Sequence, residues 1–314
     1  MTPRRRVVLV TGASSGIGRA SAMGSAAVGD HLVLVARGPG PLHEVAAECE
    51  AAGAASTLVL TADVGDDAAV QACVAQTLQQ HGRIDAAVHS AGVVAYGRTE
   101  EVPAAIFDAV VRTNLLGSVN LARHVLPGMR ERGSGSIVLV GSVIGHIAVP
   151  MMSPYVLSKW GIRALARQLQ LENRDRSDVH ICYVSPGGVD TPIYVQAATY
   201  AGHVGRPPPP VVTPEAVARV VLRRLDHPRN RTQVGAANDL MRFGFSALPA
   251  VFDAFVGALF PVGAIDLTYE VPDREGNVLS SQPGDNRLRG NQGNPVLGVV
   301  RNLGVKLRAG WDDA

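Results

Sequence analysis

Three side chains near the middle of the 314-residue chain could share a proton: Ser142, Tyr155 and Lys159. Tyr155 and Lys159 are four residues apart, so on a helix they lie on one face, a turn from each other. Ser153-Pro154 just before them reads as a helix N-cap and first helical position, which puts Tyr155 in the first turn. A free phenol titrates near ~10, so a phenolate at neutral pH needs a shift of roughly 3 units, about 4 kcal/mol. An adjacent ammonium is one source of that shift. The chemistry open to such a trio is general acid–base catalysis at an oxygen atom. A tyrosine four residues before a lysine is common and usually structural, so its surroundings must decide.

A second constellation stands near the N-terminus. The run Thr11-Gly12-Ala13-Ser14-Ser15-Gly16-Ile17-Gly18 follows the first strand-like segment and opens a helix of small residues. Gly12 permits a sharp strand-to-helix turn, Gly16 lets a pyrophosphate approach the backbone, and Gly18 lets the helix pack on the strand. Ser14, Ser15 and Ile17 stand at a helix N-terminus, where unpaired N–H groups suit phosphates. The next strand ends Val35-Ala36-Arg37. An NAD site usually places a carboxylate hereabouts for the ribose hydroxyls. This chain has none and offers the Arg37 guanidinium, which suits a 2′-phosphate, with the Ser14 hydroxyl in reach. The predicted cofactor is NADP(H); the competing reading of Arg37 is a solvated surface residue.

The elements that must position these groups alternate regularly. Strands are predicted at Val7–Val10, Leu32–Ala36, Thr57–Thr61, Ala86–His89, Ser136–Val140 and His180–Val184, and helices at Leu42–Ala52, Ala68–Gln80 and Ala104–Arg132. Short β-branched runs separated by longer helical stretches imply βαβ units, hence an α/β, doubly wound Rossmann fold around a parallel sheet. Ligands in such sheets bind beyond the carboxyl ends of the strands. Thr213-Pro214-Glu215 starts another helix after the Pro-rich loop Arg206–Pro210. The expected organisation is a cofactor-binding and catalytic domain over residues 1–240 and a C-terminal extension over 241–314. In the extension, Phe243–Val262 carries Leu248, Phe252, Phe255 and Leu259 at helical spacing, and Val271–Pro295 is polar, Gly/Pro/Asn-rich and expected to lack regular structure.

Together these motifs resemble the short-chain dehydrogenase/reductase family over roughly residues 6 to 235. The glycine loop fits the family's TGxxxGxG, and Asp63-Val64 looks like its adenine-contacting pair. Asn114, Ser142, Tyr155 and Lys159 fit its catalytic tetrad. Pro186-Gly187-Gly188-Val189-Asp190-Thr191 resembles the segment that closes over the nicotinamide, with Thr191 near the carboxamide. One departure stands out: where the family usually reads Asn-Asn-Ala-Gly, this chain has His89-Ser90-Ala91-Gly92, of which Ser90, Ala91 and Gly92 keep the place beside the cofactor. Ser90 offers fewer hydrogen bonds than asparagine. The resemblance implies hydride transfer between NADPH and a ketone or aldehyde, or the reverse from an alcohol. Ser142 and Tyr155 would hold the oxygen, Tyr155 would donate the proton, and Lys159 would hold the ribose and lower the tyrosine's pKa. Asn114 would position a water that relays the replacement proton. The resemblance also implies a homodimer or homotetramer. An NAD-dependent alcohol dehydrogenase or epimerase on the same scaffold, a non-catalytic NADP(H)-binding regulator and a peripheral membrane enzyme stay open as alternatives.

Composition narrows the remaining classes. A net charge of +2 gives no global field for nucleic acid. Three widely spaced cysteines match neither a disulfide framework nor a zinc site, and nine histidines form no ligand-spaced pair, so no metal is predicted. No signal peptide is visible and Phe243–Val262 carries Asp253, Pro249 and Pro261, so no spanning helix is expected and the predicted compartment is the cytoplasm. Three segments should converge on a bulky apolar substrate: Ile144–Met152, Tyr194–Val212 and part of Phe243–Phe260.

Overall fold

The computed structural model describes residues 5–309. Seven parallel strands form the central sheet: β1 (Val7–Thr11), β2 (His31–Ala36), β3 (Ser56–Thr61), β4 (Ala86–His89), β5 (Gly135–Val140), β6 (Val179–Pro186) and β7 (Arg231–Val234). Their spatial order is β7-β6-β5-β4-β1-β2-β3. The order reverses between β1 and β4, and a crevice opens there beyond the strand ends.

The strands alternate strictly between two cores. In β1, Val7 and Leu9 face one layer while Val8 and Val10 face the other. In β5, Ile137 and Leu139 oppose Val138 and Val140 in the same way. Successive side chains point to opposite faces, and both faces are covered, which is why these strands read as continuous apolar runs. Helices α1 (Gly16–Ala26), α2 (Pro39–Ala51) and, further along, α7 (Pro214–Asp226) cover one face. The other is covered by α3 (Asp67–His81), α5 (Gly117–Arg132) and α6 (Ser153–Glu172). All six predicted strands and the start of α7 at Thr213, whose hydroxyl accepts from the Ala216 N–H at 3.2 Å, are present.

Five features depart from the sequence reading. The seventh strand, Arg231-Thr232-Gln233-Val234, is a polar, incompletely buried edge strand paired on one side only. The predicted helix Ala104–Arg132 is divided: α4 (Ala104–Val111) gives way to a π-helical turn at Arg112–Leu116 before α5. Ser153 lies inside α6, whose N-cap is Met152 without a side-chain capping bond. Pro249 divides the apolar segment into α8 (Asn238–Ala247) and α9 (Pro249–Ala264), and Leu248, Phe255 and Leu259 face outward, while Phe252 stacks edge-on against Phe245. Beyond the polar stretch, a final helix α10 (Pro295–Ala309) closes the described chain and is fastened by the fully buried Asn302 to the carbonyls of Val262 and Ile265.

Candidate active site

The glycine loop joins β1 to α1 at the sheet's reversal point. Gly12 adopts φ +68°, and a Cβ there would lie 2.7 Å from the Ala91 backbone, so only glycine fits. At Gly18 a Cβ would lie 2.1 Å from the Gly12 carbonyl oxygen, so glycine there lets α1 pack closely on the loop. The turn His89-Ser90-Ala91-Gly92 is tied to the loop: His89 Nδ1 bonds Thr11 Oγ1 at 2.9 Å, and the Ser90 N–H donates to the Thr11 carbonyl at 3.3 Å. His89 is 1% exposed, and burial, reinforced by the charge of Lys159, lowers its pKa to about 3. It is a neutral anchor for this turn.

These elements wall an open cleft. Gly12, Ser14, Ser15, Gly16 and Ile17 line it from the glycine loop, Arg37 from the end of β2, Asp63 and Val64 from the end of β3, and Ser90, Ala91 and Gly92 from the end of β4, with Thr191 opposite. Asp63 accepts from the Gly65 N–H at 2.8 Å, which holds its turn, and the Val64 carbonyl accepts from Asn120 Nδ2 at 3.0 Å. Asn277, Ser281, Gln282 and Asn286, from the stretch expected to be an unstructured tail, form a further wall. Their polar, turn-rich sequence carries no motif that could have announced this. Positive-φ glycines and the N-terminus of α1 beside an open cleft are what a dinucleotide's phosphates require, so the residues present fit such a cofactor.

A second cleft adjoins the first, sharing Ile17, Ser90, Gly92, Thr191 and Ile193. Ser142, Tyr155 and Lys159 meet on its floor, with Pro186, Gly187 and Val189 beside them. Ser142 follows β5 with its Oγ accepting the Ile144 N–H at 3.2 Å, which leaves its proton to donate. Lys159 is 5% exposed, donates to the Val140 carbonyl at 3.2 Å and stands 5.4 Å from the centroid of the Tyr155 ring. Burial lowers the Lys159 pKa to about 8. It pushes the Tyr155 phenol up, an effect Tyr194 adds to and the Ser142 hydroxyl opposes. The expected lowering of the tyrosine's pKa by Lys159 is therefore not what the protein alone achieves.

Asn114 lies in the π-helical turn, fully buried. Its Oδ1 accepts the Val93 N–H at 2.8 Å, and its Nδ2 donates to the Val93 carbonyl and to Ser158 Oγ at 2.9 and 3.0 Å. The side chain thus braces the turn after β4 against α6, next to Lys159. A π-turn rotates one residue out of helical register, which is how Asn114 reaches both elements.

The rest of this second cleft is apolar. Ile144, Ile147, Val149 and Met152 line it from the loop before Tyr155, Tyr194 and Pro208–Pro210 from the segment after Thr191, and Met241, Phe260 and Ala264 from α8 and α9. The three segments expected to converge do so, but from Phe243–Phe260 only Phe260 contributes, and none of Leu248, Phe252, Phe255 and Leu259 lines the cleft.

Residues 6–200 match the short chain dehydrogenase family, and the chain belongs to it. Among curated relatives, "Dehydrogenase/reductase SDR family member 7B" of Danio rerio is 35% identical over 202 residues, covering 63% of this chain and 65% of that protein, just under two thirds of its length. "Levodione reductase" of Leifsonia aquatica is 40% identical over 190 residues, covering 60% of this chain and 71% of that one. Among solved structures, an alcohol dehydrogenase from Thermococcus sibiricus complexed with 5-hydroxy-NADP superposes with a TM-score of 0.62 at 29% identity, covering 74% of this chain and 94% of that one.

Proposed function

We propose that the protein is an NADP(H)-dependent reductase of bulky, apolar ketones or aldehydes. The observation that carries this reading is the convergence of Ser142, Tyr155 and Lys159 where the polar cleft meets the apolar one. Bound in the first cleft, the nicotinamide cofactor supplies the hydride. Everything else falls to the chain. The Ser142 hydroxyl and the Tyr155 phenol hold the carbonyl oxygen between two donors, which polarises it. Tyr155 then gives its proton to that oxygen as general acid. The high intrinsic pKa of the buried phenol keeps the proton on Tyr155 until the oxygen becomes basic. The Lys159 ammonium stabilises the phenolate left behind. Asn114 keeps α6 and the turn after β4 in place around that pair.

The preference for NADP(H) rests on Arg37, which lines the cleft where Ala36 leaves no carboxylate. The Thermococcus sibiricus neighbour, complexed with an NADP analogue, supports the same reading. The apolar substrate class rests on the aliphatic and aromatic walls of the second cleft, where burial contributes about 25 cal/mol per Å² of apolar surface. Leu116 and Leu157, more than 40% exposed on the π-turn and on α6, support a face for self-association into a dimer or tetramer. Following NADPH and NADH consumption against ketones and aldehydes graded by size tests the reading. Turnover rising with apolar bulk is the expected result, and activity confined to short hydroxylated carbonyls overturns it.

A further inference from the structure

The stretch between α9 and α10 runs back across the mouth of the first cleft as a strap. One end is anchored by backbone bonds between Arg274 and Thr199 at 2.9 and 3.0 Å and by the Asn277 N–H on the Gln196 carbonyl at 2.8 Å. Val278 is 2% exposed, packed among Val93, Ala95 and Ile106. At the far end the Gly290 N–H donates to Asp190 Oδ1 at 3.0 Å, and Arg289 pairs with Glu215 on α7 at 2.8 Å.

Along its length the strap engages two groups that the cofactor's phosphates would need. The Gly16 N–H, at the N-terminus of α1, donates to the Arg287 carbonyl at 3.1 Å. The Arg37 guanidinium donates to the carbonyl of Val278 at 3.0 Å and to that of Asn277. A helix N-terminus and an arginine fork are phosphate ligands in kind, and here both are satisfied by main-chain oxygens of the strap. Burial lowers the Arg37 pKa while Asp63 opposes the shift, consistent with a guanidinium covered by the strap.

We propose that this strap is an autoinhibitory gate on the cofactor site: its carbonyls compete with the cofactor's phosphates for Gly16 and Arg37, so cofactor enters only when the strap lifts. The inference rests on the proposed NADP(H) site and deepens it. It makes strap opening part of cofactor association, and it gives the C-terminal extension a function at the sheet's catalytic edge.

A reversible lock tests it. An ideal Cβ on Gly38 would lie 3.7 Å from the Ser281 Cβ, within the roughly 3.5–4.5 Å of a disulfide. The double variant Gly38→Cys, Ser281→Cys is compared with itself, oxidised and reduced, by stopped-flow NADPH fluorescence; the native Cys49, Cys73 and Cys182 are buried and free. Oxidation should slow NADPH association about tenfold or more, with recovery on reduction. Because the new bond adds bulk in the cleft, a second variant acts outside it. Glu215→Gln removes one exposed ion pair that holds the strap down and should speed association roughly two- to threefold. Failure of the disulfide to form, equal rates in the two redox states, or an unchanged rate in Glu215→Gln overturns the gate. Absence of NADPH and NADH binding to the wild-type protein would instead overturn the cofactor reading on which it rests.

Discussion

The Lys159 ammonium lies 5.4 Å from the centre of the Tyr155 ring, one turn along α6, and both groups are shifted by burial towards their neutral forms. In the protein alone the pair is a protonated phenol beside a lysine that gives up its charge near pH 8, not a phenolate beside a permanent cation. That order suits reduction, where the tyrosine must arrive carrying its proton.

Tyr155→Phe should therefore abolish turnover while NADPH affinity stays within about twofold, since only the hydroxyl is lost and the ring still packs between two buried apolar clusters. General acid catalysis is worth roughly 10²- to 10⁴-fold. The measurement is kcat together with a fluorescence Kd for NADPH. A variant within tenfold of wild type would remove Tyr155 from the mechanism.

The pH dependence follows from Lys159. Burial depresses its pKa to about 8, so the ammonium is present below that value and lost above it, while Tyr155 keeps its proton well past it. For carbonyl reduction, kcat/KM should be level on the acid side and fall above an apparent pKa near 8. Lys159→Arg, whose charge persists beyond pH ~12, should move the falling limb upward even if kcat is reduced. A wild-type profile that stays level to about pH 9.5 counts against the pair as the titrating unit.

Cofactor choice should respond at two positions. A charged contact to phosphate is worth about 1.5–3 kcal/mol, or roughly 10- to 150-fold in affinity. Arg37→Ala should erase most of an NADPH preference, and Ala36→Asp should reverse it by repelling the 2′-phosphate. Because Arg37 also holds the strap, Arg37→Ala should raise association rates for both cofactors, so the preference is read from the ratio of their kcat/KM values. Equal values in the wild type would reduce Arg37 to a strap anchor.

Substrate size can be tested at Val149, which is half-buried at the wall of the second cleft. Val149→Lys places a charge along the substrate's path without stranding it in the core. KM for a large apolar ketone should rise about tenfold or more, with Tm within about 4 °C of wild type. Met152 is the poorer site, because it is 4% exposed and a lysine there would bury an unpaired charge and unfold the loop before it informed on substrate. An unchanged KM in Val149→Lys would place the substrate elsewhere.

What the sequence determined by itself is what short-range chemistry dictates. Six of the seven strands were legible because each reads as a β-branched run whose side chains divide between the two cores; the turn at Gly12 because only glycine tolerates its φ and its approach to Ala91; the Tyr155–Lys159 pairing because four residues make one helical turn. Tertiary structure decided the rest. The edge strand Arg231–Val234 has no apolar run to betray it, since half its partners are solvent. Asn114 became a brace through a π-turn that no local pattern encodes, and Leu248, Phe255 and Leu259 turned outward while Phe260, outside their helical spacing, lines the cleft. The meeting of Arg37 with Val278 spans 241 positions of chain. Its bonds go from a side chain to main-chain carbonyls, which every residue possesses, so the strap's sequence held no sign of where its oxygens would point.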